Sequence, residues 1–172
     1  MAHYEELDDI LNQVIGNYFL TNQNLCKLLF YYPEEKSFTY NPLSQLDIPN
    51  TSDLLMKNIF PMPKMPDADL DQNCFLTVTL TGGEPLNNNK YREVYLVVDI
   101  ICHLDTWIVK NGFRPYKIAN EIDSMLNNKL TILPIINKPQ SLPFKARDYA
   151  NRYYGLQLYY VMQINSNIEC GV

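Results

Sequence analysis

The chain has 172 residues, a mass of 20.1 kDa, a formal net charge of −5 and a pI near 5.0. That acidity excludes a general nucleic-acid binder, which needs a basic surface to neutralise phosphates. With 47% hydrophobic and 19% charged residues, intrinsic disorder is excluded as well. The acidic, amphipathic opening MAHYEELDD and the lack of a long apolar run predict a chain neither classically secreted nor membrane-spanning. The length suits one domain over residues 1–172, read as N-terminal helices (1–32), a Pro-rich strap (33–73), and a hairpin, central helix and C-terminal strands (74–168).

Leu7, Leu11, Val14, Ile15 and Tyr18 recur at helical spacing, and Glu5, Glu6, Asp8 and Asp9 crowd the first turn, where the helix dipole favours anions. A helix over Tyr4–Tyr18 is predicted. Thr21 or Asn22 caps a second short helix carrying Leu25, Leu28 and Leu29, which Pro33 stops. Thr51 and Ser52 are expected to cap one helical turn over Asp53–Lys57, and IFPMPKMP (Ile59–Pro66) reads as an extended, polyproline-like strap. Met62 and Met65 are its adaptable contact residues.

In CFLTVTLT, Cys74, Leu76, Val78 and Leu80 share one face, opposite Phe75, Thr77, Thr79 and Thr81. The loop GGEPLNNNK then makes a protruding tip, Gly82–Lys90, that includes Asn88, before a second strand from about Arg92 to Trp107. Asn111 and Gly112 form a turn before the helix RPYKIANEIDSMLNN, where Pro115 suits the first turn and Ile118, Ala119, Ile122, Met125 and Leu126 make the apolar stripe. LTILPII, with Pro134, is expected as an edge or bulged strand. Lys138, Lys145, Arg147 and Arg152 are expected on a solvated loop face. In YYGLQLYYVMQIN, Tyr154, Leu156, Leu158, Tyr160, Met162 and Ile164 alternate with Gln157, Tyr159, Val161 and Gln163, whose face is too apolar for plain solvent. The expected fold is α+β: a mainly antiparallel sheet of about four strands flanked by helices, with two short N-terminal helices and a Pro-rich strap.

Cys26, Cys74, Cys102 and Cys170 form no CxxC and have no nearby histidine pair, so neither a zinc framework nor a dense disulfide scaffold follows. Cys74 and Cys102 are expected as free thiols packed as small hydrophobes, in a reducing compartment. No cofactor is expected.

The second strand places Val94, Leu96, Val98, Ile100, Cys102 and Leu104 on a core face and Asp99, His103, Asp105 and Trp107 on the other. As chemistry, His103 and Asp105, with Asp99, would make a metal half-site or an acid–base pair of a small hydrolase. No GxSxG, HExxH, P-loop or GxGxxG motif supports them, and the only other histidine is His3. The favoured expectation is non-catalytic: Asp99, His103 and Asp105 make hydrogen bonds or ion pairs on a sheet face covered by another chain or segment. Arg114 is expected to pair with a carboxylate of the same or a neighbouring subunit, and Trp107, the single tryptophan, to anchor a core or an interface.

Taken together, LCKLLFYY in the opening helices, the strap NIFPMPKMPD, the hairpin, VDIICHLDTW, the RPYKIANEID helix and the closing YYGLQLYYV resemble tail terminator or head–tail connector (neck) proteins of tailed bacteriophages. The resemblance rests on element order over most of the chain. It implies an α+β protomer in a closed homo-oligomeric ring, commonly a hexamer, made in the host cytoplasm and resident in the virion. Its partners would be the tail tube protein and the portal-side neck proteins, and DNA would pass through the ring without specific binding. Asp99, His103, Asp105, Trp107, Arg114, Tyr159, Met62, Met65 and Asn88 are the contact candidates it suggests. Whether the ring is a terminator or an adaptor is left open.

Overall fold

A computed structural model describes residues 4–33, 37–65, 74–86, 91–127, 129–132 and 135–165. Asn88 of the expected tip lies outside them, as does Pro134.

Helix α1 (Tyr4–Gln13) continues into a π-helical segment, Val14–Phe19, where the predicted helix was uniform. There Leu20 N–H reaches back to Ile15 O at 2.9 Å. The wider turn keeps Ile10, Val14, Ile15 and Phe19 in one fully enclosed stripe, which a uniform α-helix would rotate away from the core. Helix α2 (Gln23–Phe30) is capped by Asn22, whose side chain accepts from Leu25 N–H at 3.0 Å and donates to Glu121 at 3.1 Å. Of the two candidate caps, Thr21 instead bonds back to Asn17 O.

The 3₁₀ turn before the strap covers Thr51–Leu54, starting at the residues expected to precede it, and Met56 at φ 63° reverses the chain behind it. The strap begins as a true strand, β1 (Ile59–Phe60), parallel to β2 (Cys74–Leu86). Asn58 secures it from within, donating to Leu29 O at 2.9 Å and Cys74 O at 3.1 Å.

The β2 strand pairs antiparallel with β3 (Tyr91–His103) as far as Leu86↔Tyr91, with a register shift between Gly82 and Glu84. The first part of the expected tip, as far as Leu86, is therefore paired strand, with a bulge between Gly82 (φ 92°) and Glu84; residues 87–90 lie outside the described residues. The strand stops at His103. Leu104–Thr106 form a 3₁₀ turn capped by His103 Nδ1, which accepts from Asp105 N–H at 3.3 Å, so Asp105 and Trp107 leave the strand face assigned to them. A small hairpin follows, β4 (Ile108–Val109) with β5 (Gly112–Phe113), turning through Asn111 (φ 62°) and Gly112 (φ 142°). Helix α3 (Arg114–Leu126) buries Ile118, Ile122 and Leu126, the stripe its spacing predicts.

Residues 135–148, expected as an interrupted strand and a loop, form two strands: β6 (Ile135–Ser141) and β7 (Lys145–Asp148). Both pair with the same long partner, β8 (Tyr153–Asn165), β6 along its C-terminal half and β7 along its N-terminal half. The main sheet runs β1-β2-β3-β8-β6 with β7 beside β8, six strands rather than about four. The α+β class stands.

Val94, Leu96, Val98, Ile100 and Cys102 of β3 and Leu156, Leu158, Tyr160, Met162 and Ile164 of β8 face the helices in one core cluster. At ~2 kcal/mol for each large side chain removed from water, this layer dominates the folding free energy. Cys74 and Cys102 stand directly opposite in register and are joined by a disulfide, against the expectation of free thiols. A separation of 28 residues hides the pairing, because only the hairpin register brings them together. Cys26 is a buried free thiol, pushed up to about 11 by burial.

Candidate assembly interface

The sheet face turned away from the helices carries Asp99, His103 and Tyr159 of the candidates. At its centre the Asp99 carboxylate accepts from Tyr149 Oη at 2.7 Å and Thr77 Oγ1 at 3.1 Å. Burial, and the hydrogen bond to the carboxylate, push the Tyr149 hydroxyl well above the ordinary phenol range. Beside it Phe60, Phe75, Ile101 and Tyr153 form a small apolar cluster with Tyr149 packed against it. The segment covering this part of the face thus comes from the chain's own β7–β8 turn, in which Ala150, Asn151 and Arg152 all have positive φ.

His103 is buried, edge-on to Tyr153 at 5.0 Å, and its Nδ1 lies 3.6 Å from the Asp105 carboxylate. Asp105 is also paired with Arg152 at 3.1 Å. With Nδ1 engaged in capping, and Asp99 tied to Thr77 and Tyr149, the trio does not converge as a ligand set. Among the described residues no group of three His, Cys, Asp or Glu is arranged to hold a metal.

Arg114 is completely buried at the start of α3, and its partners are backbone carbonyls rather than the expected carboxylate. Nε donates to Thr106 O at 2.8 Å, and Nη1 donates to Leu28 O and, at 3.1 Å, to Tyr31 O. Leu28 and Tyr31 supply carbonyls of the α2 C-terminus, which lack intrahelical partners and carry the negative end of the helix dipole. The guanidinium also lies over the Tyr32 ring at 4.9 Å. Arg114 is therefore a structural bolt between α2 and α3, not a contact residue. Tyr159 points from β8 to the open face, bonded to Gln157 and covered by Lys145 Nζ at 5.2 Å.

Among the described residues, a mixed hollow and an apolar groove lie at opposite edges of the sheet. On the β1 edge, Phe30, Tyr32, Met56, Lys57, Asn58, Phe60, Lys64 and Phe75 line a hollow of mixed polar and apolar character, and Met62 and Met65 of the strap are exposed on either side of Lys64 in sequence. Lys64 Nζ stands 4.2 Å over the Phe60 ring. On the β7 edge, Leu104, Trp107, Tyr116, Ala146, Tyr154, Gly155 and Leu156 line a mainly apolar groove of about 430 Å³, together with the charged Arg147 and Asp148. Trp107 is half-buried there, edge-on to Tyr154 at 6.4 Å, and exposed Phe113, Tyr116 and Phe144 continue the aromatic surface through edge-on contacts.

The groove opens on the helix side of the β7 edge, with Leu156 of the core in its lining, whereas Phe60, Thr77, Asp99, Gln157 and Lys145 form a row of successive cross-strand neighbours on the other face. Four strand spacings separate the ends, about 19 Å. Of the sequence candidates, Met62, Met65 and Trp107 lie on these surfaces. Tyr116, Phe144, Tyr154 and Asp148 were not singled out; the available signal was Tyr116, an aromatic off the apolar stripe of its helix.

Comparison with known families gives a match to the YomW family model over residues 22–162. The chain belongs to the YomW family. The match takes in α2 through most of β8, and hence both edge surfaces, and it is to a phage-type family. No curated protein matches the chain. No helix among the described residues is long and apolar enough to cross a membrane.

Proposed function

We propose that this YomW-family chain is a structural virion protein that forms a ring at the head–tail junction of a tailed phage, as the tail terminator that ends the tail tube and docks to the head connector. It acts by assembly, without catalysis. The observation that carries the reading is the pair of unlike surfaces at opposite edges of one sheet, a lysine-bearing hollow with its methionine strap and an apolar aromatic groove. A protomer that associates through two different surfaces makes heterologous contacts, which close into a ring when the rotation per step divides a full turn. The acidic net charge of −5 suits a ring through which DNA slides without being held.

Deletion of the gene from the phage, followed by electron microscopy of lysates, tests this. The terminator role predicts tails of uncontrolled length that are not joined to heads. Tails of normal length that fail to join would move the protein to an adaptor ring beside the portal, and intact virions would refute both.

A further inference from the structure

Resting on the ring reading, we infer that the two edge surfaces are the two halves of one interface: the Met-Pro-Lys-Met strap of one copy, Met62–Met65, seats in the Trp107–Tyr154 groove of the next. The chemistry matches on both sides. The groove is walled by Trp107, Tyr116 and Tyr154 and carries a carboxylate, Asp148; Arg147 also lines it, but its guanidinium is engaged by Gln157 Oε1 through Nε at 3.0 Å and Nη2 at 2.6 Å. The strap presents two exposed methionines, whose thioethers suit aromatic walls, with the ammonium of Lys64 between them in sequence. Lys57 adds a second cation to the same hollow.

The occupant must come from another copy. Within one chain the strap and groove stand at opposite edges of the sheet, with β2, β3 and β8 between β1 and β7, and none of the strap residues lines the groove. The β1 outer edge is already closed by the Leu55↔Ile59 bridge and the bond from Met56 N–H to Ile59 O at 2.8 Å, which leaves side chains rather than open backbone to make the contact. On β7, Ala146 and Asp148 pair with Leu156 and Tyr154 and so face the groove, while Lys145 lies over Tyr159 and the Arg147 guanidinium reaches across to Gln157, leaving Asp148 as the groove's charge toward the strap.

Opposite charges on unlike surfaces permit a test by exchange. Lys64→Glu and Asp148→Lys each set like charges against each other at every interface, and each alone should reduce the light-scattering mass to that of a single copy. Mixed in equal amounts, the two variants should recover the wild-type mass, because copies that alternate around the ring oppose Glu to Lys at one interface and Lys to Asp at the next. Asp148 also accepts from Ala150 N–H at 3.0 Å, so Asp148→Asn, which keeps that acceptor, is the control for folding. It should raise the concentration for half-assembly about fivefold. Wild-type rings together with unaffected single variants, or with single-copy variants that the mixture does not restore, would overturn the strap-in-groove contact and leave the ring standing. A wild-type protein that is a single copy both alone and with tail tube protein would overturn the ring and the contact together.

Discussion

Replacing Arg114 with Met isolates the helix-to-helix bolt from the volume it fills. The substitution keeps an unbranched side chain of similar reach but removes the donors to Thr106 O, Leu28 O and Tyr31 O. Each carbonyl left buried without a partner costs about 1–3 kcal/mol, so the two buried ones, with a smaller share from the part-buried Tyr31 O, cost about 5 kcal/mol. Relief of the guanidinium's own burial, which also lowers its pKa, returns part of this, about 2 kcal/mol. Replacing a buried ion by a hydrophobe is harmless when both partners are replaced, whereas here the carbonyls remain. The net loss is about 3 kcal/mol, a shift of about 1.5 M in the urea midpoint at a slope of about 2 kcal/mol/M. Arg114→Lys keeps the charge but not the fork and should lose about half as much. A Met variant whose midpoint stays within about 0.3 M of wild type at unchanged slope would refute the bolt.

Gly155→Ala should destabilise by more than ~3 kcal/mol, because its Cβ would stand 1.7 Å from Ile100 O and force β8 away from β3; thermal melts compared with wild type decide it. Stability should fall with rising pH above about 10, because burial raises Tyr32 to about 12 and pushes Tyr149 and Tyr160 higher still. The protonated phenols favour the fold, so their contribution is complete below the unfolded phenol pKa and is lost through the folded one. For Tyr32 this amounts to about 2–3 kcal/mol, and a pH series of urea midpoints flat from pH 9 to 12 would contradict it. Trp107→Ala, at a half-buried site, should cost about 1–3 kcal/mol in the melt and abolish assembly; assembly at wild-type concentration would remove Trp107 from the interface. Mass spectrometry under non-reducing conditions should find Cys74 linked to Cys102, and reduction should cost about 3–4 kcal/mol for a loop of that length.

The strands and helices that alternate cleanly were legible in the sequence. The two faces of β2, β3 and β8 fall where period-two alternation puts them, and α3 buries its predicted stripe, because one buried face enforces a strict pattern. Short exposed strands were not legible. KARD in β7 is exposed throughout, so no apolar pattern marks it, and its pairing is imposed by β8. The end of β3 was placed four residues late because His103 acts as a cap, a role usual for Ser, Thr or Asp, and this displaced Asp105 and Trp107 from the face assigned to them. Arg114 was expected to pair with a carboxylate because two of its carbonyl partners belong to a helix end 83 and 86 residues away in sequence, invisible without the fold. For the candidate interface, the strap methionines and Trp107 were visible by residue type, whereas the groove exists only once β7 lies beside Tyr154.

The most direct test of the ring is the mass of the purified wild-type protein in solution, by light scattering coupled to size exclusion, with and without tail tube protein. A closed multiple of the 20.1 kDa chain, either alone or on the tube, is the predicted result. A mass of 20.1 kDa at tens of micromolar, unchanged by the tube, would contradict it.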